Sequence, residues 1–122
     1  MIVRTGVDII EIDRFESQSL ALRNRFFQRV FTIRELSLIH NSFASAAGKF
    51  AAKEAVAKTL GCGIGEVHWQ DIEILHLPTG QPVVKLHGHA KIVADQLGLN
   101  TWSVSISHDR DTAVAIAVAS GA

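Results

Sequence analysis

Residues 44–60 read ASAAGKFAAKEAVAKTL, and this stretch has the strongest helix signal in the chain. Alanine has the highest helix propensity, and Gly61 follows directly as a residue well suited to a helix C-terminus. The stretch therefore predicts a helix from Ala44 to Leu60. Its many alanines would let another backbone or a ligand come close to it.

The segments on either side of this helix predict strands and further helices. Ile2–Ile10 is rich in β-branched residues and predicts a strand, and the pattern from about Glu16 to Phe31 is helical. Thr32 and Glu35 form a capping box that would start another helix. The other predicted elements are the strands Val67–Leu77, Pro82–His87, Trp102–Ser107 and Ala113–Ala119 and the short helix Gly88–Leu97.

These elements predict an α+β fold, with an antiparallel sheet packed against helices on one side. The 122 residues favour a single domain over residues 1–122. A single layer of this size leaves flat apolar sheet surface, so we expect self-association.

Composition narrows the class of protein. The chain is 48% hydrophobic and 20% charged, which is typical of a globular protein. Its formal net charge of zero argues against a nucleic-acid partner, and its apolar runs are far shorter than the roughly 20 residues that span a membrane. The lone Cys62, without a signal peptide, indicates a reducing, cytoplasmic setting.

Basic residues cluster between positions 14 and 34, where Glu16 is the only acidic residue. A local basic surface on a neutral protein favours one acidic partner over general nucleic-acid binding. The arginines of this segment are Arg14, Arg23, Arg25, Arg29 and Arg34.

Three side chains suggest a catalytic site. Asp8 lies in an apolar strand, where a carboxylate is costly to bury unless it is paired or holds a metal. Phe50, Glu54 and Lys58 recur every four residues and share one side of the helix. Asp8 and Glu54 could be two oxygen ligands of one Mg²⁺, with Lys58 on a substrate phosphate. The alternatives are a water-facing carboxylate at Asp8 and an exposed Glu54–Lys58 pair worth roughly 0.3–0.5 kcal/mol.

Other residues suggest chemistry less strongly. His87 and His89 lack further ligands at zinc-binding spacing. Cys62 lies among glycines and is interpreted as a loop thiol. Gly61, Gly63 and Gly65 form either a helix stop with a turn or a backbone contact to a cofactor.

Two segments together carry a family resemblance. GVDIIEIDR at residues 6–14 and KFAAKEAVAK at residues 49–58 closely resemble the holo-[acyl-carrier-protein] synthase family. The resemblance extends over essentially the whole chain. Its further segments are TIREL at 32–36, GCGIG at 61–65, WQDIEI at 69–74 and SISHD at 105–109.

The resemblance implies a fold, a reaction and a site. The fold would be that of the 4'-phosphopantetheinyl transferases, assembled as a homotrimer with active sites between subunits. The enzyme would move phosphopantetheine from coenzyme A to a serine of an acyl carrier protein. Asp8 and Glu54 would be the Mg²⁺ ligands, with Glu54 the candidate base, and Lys58 would lie near the coenzyme A phosphates.

The resemblance also implies binding residues. Lys49 occupies a position often held by a phosphate-binding arginine, and this departure keeps the charge but loses the bidentate fork. His108 would lie near the nucleotide end of coenzyme A, and Gly63 would offer a backbone contact. The acidic helix of the carrier protein would dock on Arg14, Arg25 and Arg29.

Three other functions remain open at this stage. The chain could be a non-catalytic module that docks acidic carrier proteins, although docking needs only the arginines and not Asp8, Glu54 and Lys58 together. It could also be a purely structural trimer. Within the enzyme class, it could be a transferase domain excised from a larger synthase.

Overall fold

The computed structural model describes residues 1–39, 42–61 and 67–122, and these residues form five strands and five α-helices. A 3₁₀ turn at Trp69–Asp71 precedes the second strand. In chain order the elements are β1 (Ile2–Glu11), α1 (Asp13–Glu16), α2 (Leu20–Val30), α3 (Ile33–Ile39), α4 (Phe43–Leu60), β2 (Ile72–His76), β3 (Pro82–Leu86), α5 (Gly88–Gln96), β4 (Thr101–His108) and β5 (Thr112–Gly121).

The predicted α+β class is confirmed, with the strands divided between two antiparallel sheets. Strands β1, β5 and β4 form one sheet with β5 in the centre, and β2 pairs with β3 in a separate hairpin. Helix α4 packs on all three strands of the larger sheet and on β2. Residues of α4 therefore lie between the two sheets.

Helix α4 begins and ends almost as its sequence predicts. The Ser42 side chain accepts a hydrogen bond from the backbone N–H of Ser45 at 3.1 Å, so the helix starts one residue before Ala44. Gly61 adopts the left-handed conformation, with a φ of 74°, and ends the helix after Leu60. No helix in the described part of the chain is both long and apolar enough to cross a membrane.

Two predicted elements are wrong in extent. The helix expected from Glu16 to Phe31 is divided, because Ser19 takes an extended backbone and caps a new helix by accepting from the N–H of Leu22. The strand expected over Val67–Leu77 is regular only over Ile72–His76. Lys53 donates to the carbonyls of both Trp69 and Ile72, which favours the turn between them over an extended strand.

The outer face of the larger sheet is apolar, as the sequence suggests. Side chains of β1 and β5 that point away from α4 pair across the strands, with Val7 opposite Ile116 and Ile9 opposite Val114. Val7 is 56% exposed and Ile9 66% exposed. An exposed apolar surface of this kind is typical of a protein interface.

A buried ion pair joins α3 to α4. The capping box is confirmed, because Thr32 N–H donates to Glu35 Oε1 at 2.9 Å and Glu35 N–H donates to Thr32 Oγ1 at 3.2 Å. The same carboxylate lies 2.8 Å from the Lys53 ammonium, with both side chains fully buried, and also accepts from Ile74 N–H. Burial lowers the pKa of Lys53, while Glu35 opposes that shift.

Removing one partner of this pair should destabilise the fold strongly. Lys53→Met leaves the Glu35 charge buried without its counterion, so we expect the free energy of unfolding to fall by about 3–5 kcal/mol. Urea unfolding measures this, with Lys91→Met as the control, since Lys91 pairs with Asp95 on the exposed surface. Equal stability of the two variants would contradict the structural role of the pair.

Candidate active site

Asp8, Glu54 and Lys58 lie together where β1 crosses α4. The Lys58 ammonium is 3.0 Å from Asp8 Oδ1 and donates to the carbonyl of Val7 at 3.0 Å. The Asp8 side chain is 10% exposed and that of Lys58 is 56% exposed. The structure therefore opposes the interpretation of Asp8 as a water-facing carboxylate, and Lys58 pairs across elements with Asp8.

A glycine allows this close approach. A Cβ on Gly6 would overlap the carbonyl oxygen of Ala55 and come within 2.6 Å of Thr59 Oγ1. Thr59 itself donates to the Ala55 carbonyl at 2.8 Å, so neither group has freedom to move away. Because Gly6 has no side chain, β1 lies directly on α4 and Asp8 faces the Glu54–Lys58 turn.

Asp8 and Glu54 form a like-charged pair. Burial raises the pKa of Glu54, and the neighbouring Asp8 carboxylate raises it further, against opposing effects of Lys58 and Arg14. Asp8 Oδ2 is buried and has no hydrogen-bond partner among the described residues. Two carboxylates placed in this way could bind one cation between them.

The donor set fits a hard divalent cation such as Mg²⁺. Within residues 1–39, 42–61 and 67–122, no group of three or more His, Cys, Asp or Glu side chains could hold a metal. Mg²⁺ needs only one or two protein carboxylates, because water and substrate phosphates complete its shell. The two carboxylates and the unpartnered Asp8 oxygen are therefore compatible with this ion.

Lys49 and His108 line a cavity of about 220 Å³, together with His76 and Ile106. Lys49 is 1% exposed, and its ammonium donates to the carbonyl of Ile74 at 3.1 Å and lies 2.6 Å from His76 Nε2. Burial lowers the pKa of Lys49 to about 8, with Glu35 raising it and Lys53 lowering it. His76 could not be identified from the sequence, because its contact with Lys49 depends on how the β2–β3 hairpin packs on α4.

The sequence-predicted basic cluster divides into two groups. Arg23 donates to the carbonyl of Phe15 at 3.2 Å and Arg34 pairs with Glu73, so these two arginines hold the fold together. The other three are exposed on α1 and α2, and two of them stack on aromatic rings. Arg14 lies 5.7 Å from the centre of the Phe50 ring, and Arg29 lies 5.9 Å from the centre of the Phe26 ring. The third exposed arginine is Arg25.

Two further sequence interpretations concern other positions. His87 Nε2 lies 3.0 Å from Glu73 Oε1, so it belongs to the Arg34–Glu73 group and not to a metal pair with His89. Burial alone would raise the pKa of Glu73, but hydrogen bonds from Thr32, Arg34 and His87 outweigh it and lower that pKa to about 2. Gly63, a predicted cofactor contact, and Cys62 lie outside the described residues.

Comparison with known proteins identifies the class. Residues 4–119 match the family model described as the 4'-phosphopantetheinyl transferase superfamily. A protein of Alkaliphilus oremlandii named holo-[acyl-carrier-protein] synthase is 47% identical over 122 residues, covering 98% of this chain and 99% of that protein. A protein of the same name from Natranaerobius thermophilus is 47% identical over 121 residues, covering 97% of each.

Solved structures agree with these relatives. The holo-[acyl-carrier-protein] synthase of Helicobacter pylori, solved in complex with coenzyme A, is 36% identical with a TM-score of 0.86, covering 95% of this chain and 99% of that one. The Bacillus anthracis synthase, solved in complex with CoA (3',5'-ADP), is 33% identical with a TM-score of 0.79, covering 100% and 99%. The chain belongs to the holo-[acyl-carrier-protein] synthase family, which confirms the resemblance found in the sequence.

Adding one methyl group at Gly6 should disturb the contact between β1 and α4. In Gly6→Ala the Cβ overlaps helix backbone, so we expect the free energy of unfolding to fall by about 1–3 kcal/mol or more. Thr5→Ala is the control, because Thr5 is exposed. Urea unfolding of both variants measures the difference, and a Gly6→Ala protein as stable as the control would mean that the close approach is unimportant.

Proposed function

We propose that this protein transfers 4'-phosphopantetheine from coenzyme A to a serine of an apo acyl carrier protein, releasing adenosine 3',5'-bisphosphate. The observation that carries the proposal is the Asp8–Glu54 carboxyl pair with Lys58 beside it. Relatives of this chain bear the synthase name, and solved relatives bind coenzyme A. A module that only docks carrier proteins would not need this costly pair.

Mg²⁺ is the metal that we assign to the site, with Asp8 and Glu54 as its protein ligands. When bound, the ion would neutralise charge on the pyrophosphate of coenzyme A. The unpartnered Asp8 Oδ2 supports this assignment, because a cation would satisfy it.

The chain's own groups account for the proton and the developing charge. The carrier serine Oγ attacks the phosphorus that bears the pantetheine arm, and the bond from that phosphorus to the oxygen bridging to the second phosphate breaks. Glu54 takes the serine proton, directly or through water, because Lys58 pairs with Asp8 and leaves the Glu54 carboxylate as the available base. Lys58, more than half exposed, stabilises negative charge on the leaving oxygens.

Substrate binding uses residues outside this centre. We assign Lys49 and His108 to the phosphates and nucleotide end of coenzyme A, because both line one cavity. Gly63 keeps its proposed backbone contact with coenzyme A. We assign the acidic helix of the carrier protein to Arg14, Arg25 and Arg29, because these three remain exposed.

We further propose that the chain is a single domain and acts as a homotrimer with active sites between subunits. The apolar outer face of the larger sheet supports self-association, since Val7, Ile9 and Ile116 are exposed there. A cytoplasmic location, favoured by the lone cysteine, also stays a prediction.

The reaction can be tested directly by intact-mass spectrometry. We expect an apo acyl carrier protein incubated with this protein, coenzyme A and Mg²⁺ to gain one phosphopantetheine, and to gain none when EDTA is present. A gain that persists in EDTA would remove the metal from the proposal. No gain, with folded protein and a competent carrier, would favour the docking module.

The same assay tests the role of Glu54. Glu54→Gln keeps the shape but removes both the base and the charged metal ligand, so we expect turnover to fall at least about 100-fold with the fold intact. Asp95→Asn is the matched control, because Asp95 is an exposed carboxylate on α5. Undiminished activity of Glu54→Gln would exclude its catalytic role.

Carrier docking predicts a selective change in KM. Arg25→Ala combined with Arg29→Ala should raise the KM for the carrier protein several-fold and leave the KM for coenzyme A unchanged, since rim charges steer association. The effect should shrink in high salt. Lys91→Ala removes an exposed charge outside this surface and is the control. Equal carrier KM values in the double variant and the control would place docking elsewhere.

A further inference from the structure

The contact between His76 and Lys49 joins the β2–β3 hairpin to α4. His76 is the last residue of β2, and its Nε2 lies 2.6 Å from the Lys49 ammonium. Both residues line the cavity that also contains His108. The contact lies in a cavity that the proposed function assigns to coenzyme A.

The surroundings of His76 fix which ring nitrogen carries the proton. Nδ1 lies 3.1 Å from the carbonyl oxygen of Gly80, which only accepts hydrogen bonds, so Nδ1 carries the hydrogen and donates it. Nε2 then carries a lone pair and accepts a hydrogen bond from the Lys49 ammonium, which has donors only. Neutral His76 is therefore an acceptor for Lys49.

The hairpin turn holds the Gly80 carbonyl in place. Leu77 and Gln81 close the turn by a backbone hydrogen bond of 2.9 Å, and Gly80 N–H donates to the Leu77 carbonyl at 2.8 Å. Gly80 has a φ of 90°, a conformation that favours glycine. The imidazole of His76 is thus oriented by a closed turn.

The Lys49 ammonium has three N–H donors, and the fold uses two of them. One donates to the Ile74 carbonyl at 3.1 Å and one to His76 Nε2. The third has no partner among the described residues. A lysine ammonium lacks the rigid fork of an arginine and turns freely about its flexible stem, so fixed acceptors are needed to direct the remaining N–H.

We propose that His76 is a positioning residue for substrate binding: together with the Ile74 carbonyl it orients the Lys49 ammonium so that the third N–H binds a phosphate of coenzyme A. This inference rests on the proposed function, and in particular on Lys49 as a phosphate contact. His76 acts on coenzyme A only through Lys49.

Steady-state kinetics with apo carrier protein test this role. His76→Ala removes the acceptor, and we expect the KM for coenzyme A to rise about tenfold while kcat stays near wild type, because one hydrogen bond to a charged group is lost. His76→Gln offers one carbonyl acceptor and one NH₂ donor on the same terminal group and should restore most of the affinity. His89→Ala is the control, since His89 is an exposed histidine on α5.

A double-mutant cycle separates positioning from direct contact. If His76 works through Lys49, His76→Ala should change the KM for coenzyme A little further in a Lys49→Ala background. An equal rise in both backgrounds would overturn the inference, as would a His76→Ala variant with the wild-type KM. Calorimetric titration with adenosine 3',5'-bisphosphate should show the same pattern of affinities without turnover.

The two proposals fail in different ways. A wild-type protein that transfers no phosphopantetheine refutes the proposed function, whatever the His76 variants do. A wild-type protein that is active while His76→Ala binds coenzyme A normally refutes only the positioning role. Thermal unfolding of each variant shows whether it is folded. A folded His76→Gln protein with a KM for coenzyme A as high as that of His76→Ala would also contradict the inference.

Discussion

Helix α4 lies between two sheets, and this position constrains three of the four charged residues that the helix carries, the exception being the exposed Lys58. Its alanines and Val56 are buried almost without exception, Lys49 and Lys53 are buried with them, and Glu54 is partly buried. An unpaired buried charge would cost several kcal/mol. Each of the three therefore meets a specific partner on a neighbouring element, and these partners determine where the helices and strands lie around α4.

The three partnerships are of different kinds. Lys53 has an opposite charge in Glu35, which the capping box and a backbone N–H of β2 also hold, and this arrangement stabilises the fold. Lys49 has neutral acceptors, the Ile74 carbonyl and His76. Glu54 faces Asp8, which has the same charge and raises its pKa. The pair of like charges is the one that stability alone does not explain, and it coincides with the site proposed for catalysis.

Local signals in the sequence predicted the parts of this arrangement that depend on neighbouring residues. The ends of α4 follow from Ser42 and Gly61, and the capping box at Thr32 follows from a spacing of three residues. Asp8 could be identified from the sequence because a carboxylate in an apolar strand is costly to bury unless it is paired or holds a metal. The Gly6 contact brings it to α4, but nothing in the sequence marks Gly6 as a contact point.

The features that the sequence did not predict depend on distant residues. The Lys53–Glu35 pair joins residues 18 positions apart and the His76–Lys49 contact joins residues 27 positions apart, and helical periodicity carries no information about them. The same holds for the 3₁₀ turn at Trp69–Asp71, which was expected to be part of a strand but whose carbonyl at Trp69 accepts from Lys53. Tertiary contacts override local preference at these positions.

The stacking of Arg14 on Phe50 and of Arg29 on Phe26 lowers the conformational entropy that these arginine side chains lose when a partner binds this surface. A free arginine side chain loses rotamer freedom worth up to about 2 kcal/mol when a partner immobilises it. A guanidinium that already rests on an aromatic ring has lost part of that freedom during folding. Lysine at the same positions would keep the charge and lose most of this advantage, because its rounded ammonium does not stack flat on a ring.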